Sequence, residues 1–212
     1  NMVEYLPSRA LTPGTPRPQN HPMRQVTREV AFDSPSWTAQ RRRKVEQLFD
    51  DLAPEWHEKH AEDRLLPLRD ALERGKIRPG NCLELGCGTG PATALLAEAF
   101  AGVVAVDLSF EMIRRLHSPT AARVRADASC LPFPKDSADS IVLLNMLLFP
   151  DEVARGLKPD GSIIWVNSRA ENTPIHLSPE DFLAALPGQW KATASRSGDG
   201  LWAVARRDPN AS

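Results

Sequence analysis

The chain has 212 residues, of which 42% are hydrophobic and 25% charged, a balance typical of a globular protein with a sizeable core. Its formal net charge of −1 gives no reason to expect nucleic acid or an anionic membrane as a partner. No apolar run approaches the ~20 residues that span a bilayer, and no signal-peptide pattern is present. Three cysteines without CxxC spacing predict neither a metal site nor disulfides, so a cytoplasmic location is the simplest interpretation.

The first 35 residues contain six prolines. Prolines oppose helix formation, so we predict a proline-rich N-terminal arm over 1–35 that is extended and lacks a long helix. An arm of this composition is either disordered or packed against something. The partner in the second case is the arm's own domain or another subunit, and a homodimer through 1–35 is one expectation.

Residues 36–75 have helical spacing. An apolar stripe at i, i+3, i+4 and i+7 predicts a helix over 36–53, formed by Val45, Leu48, Phe49 and Leu52. A second helical stretch is expected from Pro54 to Arg74, ending at Gly75. Together these segments predict a helical cap.

Strand-like and helix-like segments alternate from residue 81 onward. The strand candidates are Cys82–Leu85, Val103–Asp107, Arg123–Ala126, Ser140–Asn145 and Ser162–Asn167. Two more, Gln189–Ser195 and Leu201–Arg206, flank a Ser-Gly-Asp-Gly turn that is typical of a hairpin. We therefore predict an α/β fold over 76–212: a Rossmann-like, doubly wound sheet of about seven strands, mostly parallel, with an antiparallel C-terminal hairpin and helices on both faces.

The segment Leu83–Gly90, LELGCGTG, leads from a buried strand into a glycine-rich turn. Glycines let the backbone pass close under a ligand, and ligands of open parallel sheets bind at this end of the strands. Asp107 ends the next strand, where a carboxylate accepts hydrogen bonds from both hydroxyls of a ribose. The turn and the acid together predict an adenosine-containing ligand.

The glycine spacing indicates which adenosine ligand is expected. The dinucleotide pattern is G-x-G-x-x-G, whereas the spacing here is G-x-G-x-G with Glu84 two residues before the first glycine. A carboxylate is unfavourable beside a pyrophosphate but suits the cationic ammonium and sulfonium of S-adenosylmethionine. These observations favour S-adenosylmethionine over NAD.

At these residues the sequence resembles the class I S-adenosylmethionine-dependent methyltransferases, in particular the small-molecule branch that includes the ubiquinone and menaquinone C-methyltransferases. The resemblance covers about residues 45–167. It extends from Leu83–Gly90 through Asp107 to the segments around Arg125–Ala128, Ser140–Asn145 and Leu157–Gly161.

The resemblance implies roles for individual residues. Glu84, Gly86, Cys87 and Gly88 would surround the methionyl part, with Asn145 offering its backbone carbonyl to the ammonium. Asp107 would hold the ribose. Four residues would contact the adenine, namely Leu108, Met112, Asp127 and Ala128. Trp56, in a segment similar to the branch's entry segment, would cover the methionyl end.

The methyl acceptor is less defined. The helix expected after Ser140–Asn145 is short, so residues 1–75 or another subunit must complete the acceptor site. The absence of an Asn-Pro-Pro-Tyr or Asp-Pro-Pro-Tyr segment argues against amino-methylases of nucleic-acid bases and protein glutamine. His57, beside Trp56, is the preferred general base for an O- or N-nucleophile, and His176 ranks next.

The sequence therefore predicts an enzyme that transfers methyl from S-adenosylmethionine to a small-molecule O, N or C nucleophile. Two alternatives stay open: a minimal NAD-dependent oxidoreductase, and a catalytically silent methyltransferase-like protein acting through its N-terminal arm.

Overall fold

The computed structural model describes residues 1–9, 20–57 and 62–211. Its strands are β1 (Met2–Tyr5), β2 (Asn81–Leu85), β3 (Gly102–Asp107), β4 (Ala122–Arg125), β5 (Ala138–Leu144), β6 (Leu157–Asn167), β7 (Trp190–Ser197) and β8 (Gly200–Arg207). Its α-helices are α1 (Pro22–Phe32), α2 (Ala39–Trp56), α3 (Leu66–Arg74), α4 (Thr93–Ala99), α5 (Phe110–Arg114), α6 (Pro150–Gly156) and α7 (Pro179–Ala185). Short 3₁₀ turns cover Ser34–Ser36, Glu62–Leu65 and Ala170–Asn172.

All eight strands form one sheet in the order β1-β7-β8-β6-β5-β2-β3-β4. Neighbours pair in parallel except at β8, which is antiparallel to both β6 and β7. The predicted mostly parallel sheet with an antiparallel C-terminal hairpin is confirmed. The expected number of strands was short by one, because β1 adds an edge strand beside β7.

The core lies on both faces of the sheet, because successive side chains of a strand point to opposite faces. Along β5, Ile141 and Leu143 pack in a cluster with residues of α1, α6 and α7. Val142 between them packs on the other face with residues of α3 and α4. The parallel strands are therefore covered on both sides, as their apolar sequences predicted.

The N-terminal segment differs from the predicted arm in one respect: it contains α1, a helix of 11 residues. Pro22 lies in the first turn, where a missing N–H costs no hydrogen bond, and the His21 side chain caps the start by accepting from the Met23 backbone N–H. Residues 10–19 of the predicted arm lie outside the described residues. The division into arm, cap and main domain stays a prediction, with β1 a part of the main sheet.

Helix α2 continues three residues beyond its predicted end at residue 53 and includes Pro54 in its last turn. The proline has no N–H to donate to the preceding turn, and the helix ends two residues after it. Glu46 pairs with Arg125, and Asp50 accepts a hydrogen bond from the Ser109 hydroxyl. These two contacts hold α2 over the carboxyl ends of β3 and β4.

Among the described helices, no segment is both long enough and apolar enough to cross a membrane.

Candidate functional site

A cavity of about 640 Å³ lies at the carboxyl ends of the parallel strands. Its walls come from the turns after β2, β3, β4, β5 and β6, together with α2. Every residue predicted to bind the cofactor lines it: Trp56, Glu84, Gly86, Cys87, Gly88, Asp107, Leu108, Met112, Asp127, Ala128 and Asn145. The structure thus brings these separate sequence segments to one site, as expected for strand ends of a parallel sheet.

Glu84 is a carboxyl group that faces this cavity from inside the sheet. Only 3% of the residue is exposed, and the Thr93 hydroxyl donates a hydrogen bond of 2.7 Å to its Oε2. Burial raises the pKa of Glu84 to about 8, a shift that the Thr93 bond opposes and the nearby Asp107 carboxylate reinforces. Near neutral pH this group is mostly protonated, and a cationic ligand beside it favours the ionised form.

Asp107 ends β3 and faces the glycine turn. The backbone N–H groups of Gly88 and Ser109 each donate to one of its carboxylate oxygens at 2.8 Å. Burial raises its pKa to about 6, and these two hydrogen bonds limit the shift. The Ser109 side chain caps α5 by accepting from the Met112 N–H, so Asp107 is not needed as the helix cap. Both oxygens retain lone pairs, which can accept from a diol.

The glycine turn has the backbone geometry that its sequence predicted. Gly86 has φ +71° and Gly88 has φ +58°, a region that favours glycine. A Cβ at Gly86 would lie 2.5 Å from the Met146 sulfur, and one at Gly88 would lie 2.6 Å from Nε1 of Trp56. Trp56 and Met146 therefore cover the turn. Cys87 between the glycines is buried, and burial raises the pKa of its thiol well above the ordinary range.

The Asp127 carboxylate lies after β4 and has a partner that the sequence did not indicate. Trp37 Nε1 is 3.2 Å from each of its oxygens, and the Ser129 backbone N–H donates to Oδ1 at 2.9 Å. The Trp37 ring packs edge-on against Phe149, with centroids 5.1 Å apart. Trp37 and Phe149 both line the cavity and form a wall beside Asp127.

Asn145 follows β5 with φ +51°, a conformation that asparagine tolerates better than most residues. Its side chain is fixed to the end of β6, because Nδ2 donates to Ser168 Oγ at 2.8 Å and Oδ1 accepts from the Ser168 N–H at 2.9 Å. The next residue, Arg169, also lines the cavity.

Residues 21–65 supply another part of the wall. The contributing residues are His21, Met23, Trp37, Val45, Leu48, Phe49, Leu52, Trp56, Arg64 and Leu65. The predicted apolar stripe of α2 therefore faces the cavity. In that helix only Ala53 is buried, and the stripe remains partly exposed.

The two histidines proposed as a general base do not line the cavity. His57 packs against His117, with ring centroids 4.7 Å apart, and its Nδ1 lies 3.5 Å from Thr89 Oγ1. The His176 Nδ1 is 2.8 Å from Asn167 Oδ1, and burial lowers its pKa to about 4. The predicted catalytic role of His57 stays untested, and the position of the ring does not support it.

Trp37, Arg64 and Arg169 are among the cavity residues that were not predicted from the sequence. Trp37 and Arg64 lie outside the motifs and reach the site through long-range packing. Arg169 follows the predicted fifth strand by two residues, a place where ligand contacts are expected in such folds. Its position after a strand was the one indication that Arg169 lies at the site, since the carboxyl ends of all parallel strands meet there.

Comparisons with known proteins agree with this geometry. Residues 83–165 match a family model described as a methyltransferase domain. Malonyl-acyl-carrier-protein O-methyltransferase of Dechloromonas aromatica is 33% identical over 128 residues, covering 57% of this chain and 48% of that protein. Demethylmenaquinone methyltransferase of Clavibacter sepedonicus is 37% identical over 105 residues, covering 44% and 43%. The chain spans about half the length of these curated relatives.

Among solved structures, DhpI in complex with SAH aligns with a TM-score of 0.62 at 20% identity, covering 77% of this chain and 95% of that chain. At this identity the alignment establishes the fold. Residues 83–165 therefore form a methyltransferase domain, and the chain has the fold of the class I methyltransferases. The resemblance seen in the sequence is confirmed.

Proposed function

We propose that this chain is a methyltransferase that uses S-adenosylmethionine to methylate an O, N or C nucleophile of a small molecule, leaving S-adenosylhomocysteine. The observation that carries the proposal is the pair of acidic residues, Glu84 and Asp107, held on either side of the glycine turn in one cavity. A buried carboxyl group two residues before the first glycine is unfavourable beside the pyrophosphate of a dinucleotide. It is favourable beside the cationic ammonium of a methionyl group.

The residues present fit this cofactor. Glu84, with Gly86, Cys87, Gly88 and the Asn145 carbonyl, would hold the methionyl part, since a nearly fully buried carboxyl group is satisfied by a cation. Asp107 would accept from the ribose hydroxyls with the lone pairs that the backbone N–H groups leave free. The bound cofactor supplies a methyl group activated by its sulfonium.

The adenine would lie between Leu108, Met112 and the segment after β4. Met112 is 1% exposed and offers an apolar surface. The Asp127 carboxylate would accept from the exocyclic amino group, and the backbone N–H of Ala128 would donate to a ring nitrogen. Trp37 lies at this end and limits its width.

Residues 36–75 would act as the cap over cofactor and acceptor. Trp56 and the α2 stripe are apolar and reach the same cavity as the acids. Covering the site excludes water and orients the nucleophile, and orientation alone accounts for much of the acceleration in such displacements. The relative named demethylmenaquinone methyltransferase supports a small-molecule acceptor.

The test is calorimetric titration with S-adenosylhomocysteine and, separately, with NADH. The wild-type protein should bind the first and not the second. Asp107→Ala should weaken S-adenosylhomocysteine binding at least ~10-fold, since a charged acceptor bonded to two hydroxyls is removed. Asp151→Ala, an exposed change on α6, is the matched control. Binding of NADH in preference to S-adenosylhomocysteine would overturn the proposal.

A further inference from the structure

Two arginines, Arg64 and Arg169, line the cavity. Among residues 1–9, 20–57 and 62–211, neither guanidinium makes a hydrogen bond or an ion pair, and both residues are only partly exposed. A guanidinium is a rigid donor fork that matches the oxygens of a carboxylate. Two unpaired guanidiniums in a mostly apolar cavity therefore mark a place for an anion.

The acid nearest to Arg169 in the chain is not available to it. Glu171 is held by Arg196, whose two terminal nitrogens each contact one of its carboxylate oxygens. That pairing lowers the pKa of Glu171 to about 2. The backbone of Arg169 is nevertheless fixed, because its N–H donates to Thr173 Oγ1 at 3.0 Å. The backbone of Arg169 is thus anchored, while its guanidinium can donate hydrogen bonds to a ligand.

The two arginines reach the cavity from the same end of the sheet. Arg169 follows Asn167, the last residue of β6. Arg64 precedes Pro67 by three residues, and Pro67 packs beside Asn167, since a Cβ on Gly200 would lie 2.4 Å from Pro67 Cγ and 3.2 Å from the Asn167 carbonyl oxygen. Both residues therefore lie near the carboxyl end of β6, and both line the cavity.

This end adjoins the proposed methionyl site. Ser168, directly before Arg169, exchanges two hydrogen bonds with Asn145. The acidic residues of the cavity lie on the other strands: Glu84 is in β2, Asp107 ends β3 and Asp127 follows β4. The cavity is thus acidic where the cationic cofactor is proposed and basic where the acceptor would lie.

We propose, resting on the function proposed above, that the acceptor is a carboxylic acid with an apolar body, bound as its carboxylate by Arg169 and Arg64 and converted to a methyl ester. One carboxylate oxygen bonds to the methyl carbon of S-adenosylmethionine while the carbon–sulfur bond breaks and its electron pair stays on sulfur. The products are a neutral ester and the neutral thioether S-adenosylhomocysteine, and no proton is transferred.

The chemistry of the wall favours a carboxylate over an alcohol or amine. A carboxylate is already ionised at neutral pH and needs no general base. Within the described part of the chain, the one histidine that lines the cavity is His21, and its Nδ1 accepts from the Met23 N–H. The apolar stripe of α2 suits an alkyl or aryl body behind the charged group.

The test uses octanoate, octanamide and octylphosphonate as probes of the protein saturated with S-adenosylhomocysteine, followed by calorimetry. Octanoate should bind at least ~10-fold more tightly than octanamide, as expected when a charge-assisted pair is lost. Arg169→Gln and Arg64→Gln should each weaken octanoate binding toward the amide's affinity, and Arg169→Lys should retain part of it. Arg28→Gln, on an exposed ion pair with Asp181, is the control.

The same titrations separate the two proposals. The affinity for S-adenosylhomocysteine should stay within ~2-fold of wild type in the arginine variants, because no arginine lies in the proposed cofactor site. With S-adenosylmethionine, mass spectrometry should detect methyl octanoate. Equal or absent binding of acid and amide, preference for the phosphonate, or an unchanged preference in both Gln variants would overturn the carboxylate proposal. Failure to bind S-adenosylhomocysteine would instead overturn the proposed function.

Discussion

The indole nitrogen of Trp37 lies 3.2 Å from each carboxylate oxygen of Asp127, so a cap residue contacts the acid proposed to hold adenine. A carboxylate has about four acceptor positions on its two oxygens. The Trp37 N–H and the Ser129 backbone N–H occupy part of them. The remaining lone pairs are enough for one more donor, so Trp37 and an adenine amino group can share the carboxylate.

If the Asp127 carboxylate accepts from both Trp37 and the adenine amino group, two variants should change the affinity by different amounts. Asp127→Ala removes the acceptor and should weaken S-adenosylhomocysteine binding about 10-fold, the effect of losing a hydrogen bond to a charged group. Trp37→Phe keeps the edge-on ring contact with Phe149 and removes only the N–H donor, so its affinity should stay within about 3-fold of wild type. Calorimetry at one pH measures both. A large gain in affinity for Trp37→Phe would show that the indole competes with adenine.

Glu84 should make cofactor binding depend on pH. Its pKa of about 8 means that the free protein holds a proton there at pH 7, and a bound cation lowers the pKa and releases that proton. We expect S-adenosylmethionine to release up to one proton at pH 7, fewer at pH 9, and to bind more tightly as pH rises toward 8. Asp107, with a pKa of about 6, is already mostly ionised at pH 7 and contributes less.

The measurement is calorimetry at pH 7 in buffers with different ionisation enthalpies. Glu84→Gln cannot release a proton, so its apparent binding enthalpy should not vary with the buffer. Glu98→Gln, an exposed change on α4, should behave as wild type. Identical proton release by wild type and Glu84→Gln would assign the released proton to another group.

The same buried carboxyl group should affect the stability of the unliganded protein. The pKa of Glu84 is raised from 4.5 in its ordinary state to about 8 when folded, so its contribution is fully present below pH 4.5 and is lost as pH rises through 8. Glu84→Gln has no group that ionises at this position, so its stability does not show this decrease as pH rises. Between pH 5.5 and 8.5 the melting temperature of Glu84→Gln should therefore rise relative to wild type by several degrees, corresponding to roughly 3 kcal/mol. A constant difference across that range would contradict the raised pKa.

The sequence allowed the strands from residue 81 onward and the cofactor side of the cavity to be predicted. Apolar runs locate buried strands, and the carboxyl ends of parallel strands converge without any further information. Gly86, Asp107, Asp127 and Asn145 each follow or end a strand, so finding the strands was enough to bring those residues together.

Other features depend on contacts that no local pattern records. The pairing of β1 with β7 joins residues that are 189 positions apart in the case of Met2 and Lys191. The proline-rich composition of residues 1–35 led us to predict an extended arm, and the helix between Pro22 and Pro35 was missed. His57 is adjacent in sequence to Trp56, but successive residues at a helix end point in different directions, and its ring meets His117 outside the cavity.

The two glycines of the turn should respond differently to substitution. In Gly86→Ala, the new Cβ meets the flexible end of Met146, which can move, whereas in Gly88→Ala it meets the indole of Trp56, which packs edge-on against Phe49. Both variants suffer from positive φ, but Gly88→Ala should lose more stability and more S-adenosylhomocysteine affinity. A thermal double-mutant cycle should show that Trp56→Ala relieves part of the cost of Gly88→Ala, and additive effects would contradict the steric contact.

The strand β1 protects the edge of the sheet. Along β7 it forms a parallel ladder, and beyond it the Leu6 N–H donates to the Ala194 carbonyl at 2.8 Å while Arg74 donates to the Pro7 carbonyl at 2.7 Å. Removing residues 1–9 leaves the β7 edge unpaired, and unpaired edges favour association between chains. The truncated protein should therefore melt several degrees lower and associate as its concentration rises.

Differential scanning fluorimetry and multi-angle light scattering measure these two effects. Tyr5→Phe is the control, since it removes only the 2.6 Å hydrogen bond from the Tyr5 hydroxyl to Glu180 and leaves the ladder intact.

The predicted homodimer through residues 1–35 gives the opposite result in light scattering. If the arm holds two chains together, truncation lowers the mass from dimer to monomer; if β1 shields its own sheet, truncation raises the mass with concentration, because the β7 edge is then open to another chain.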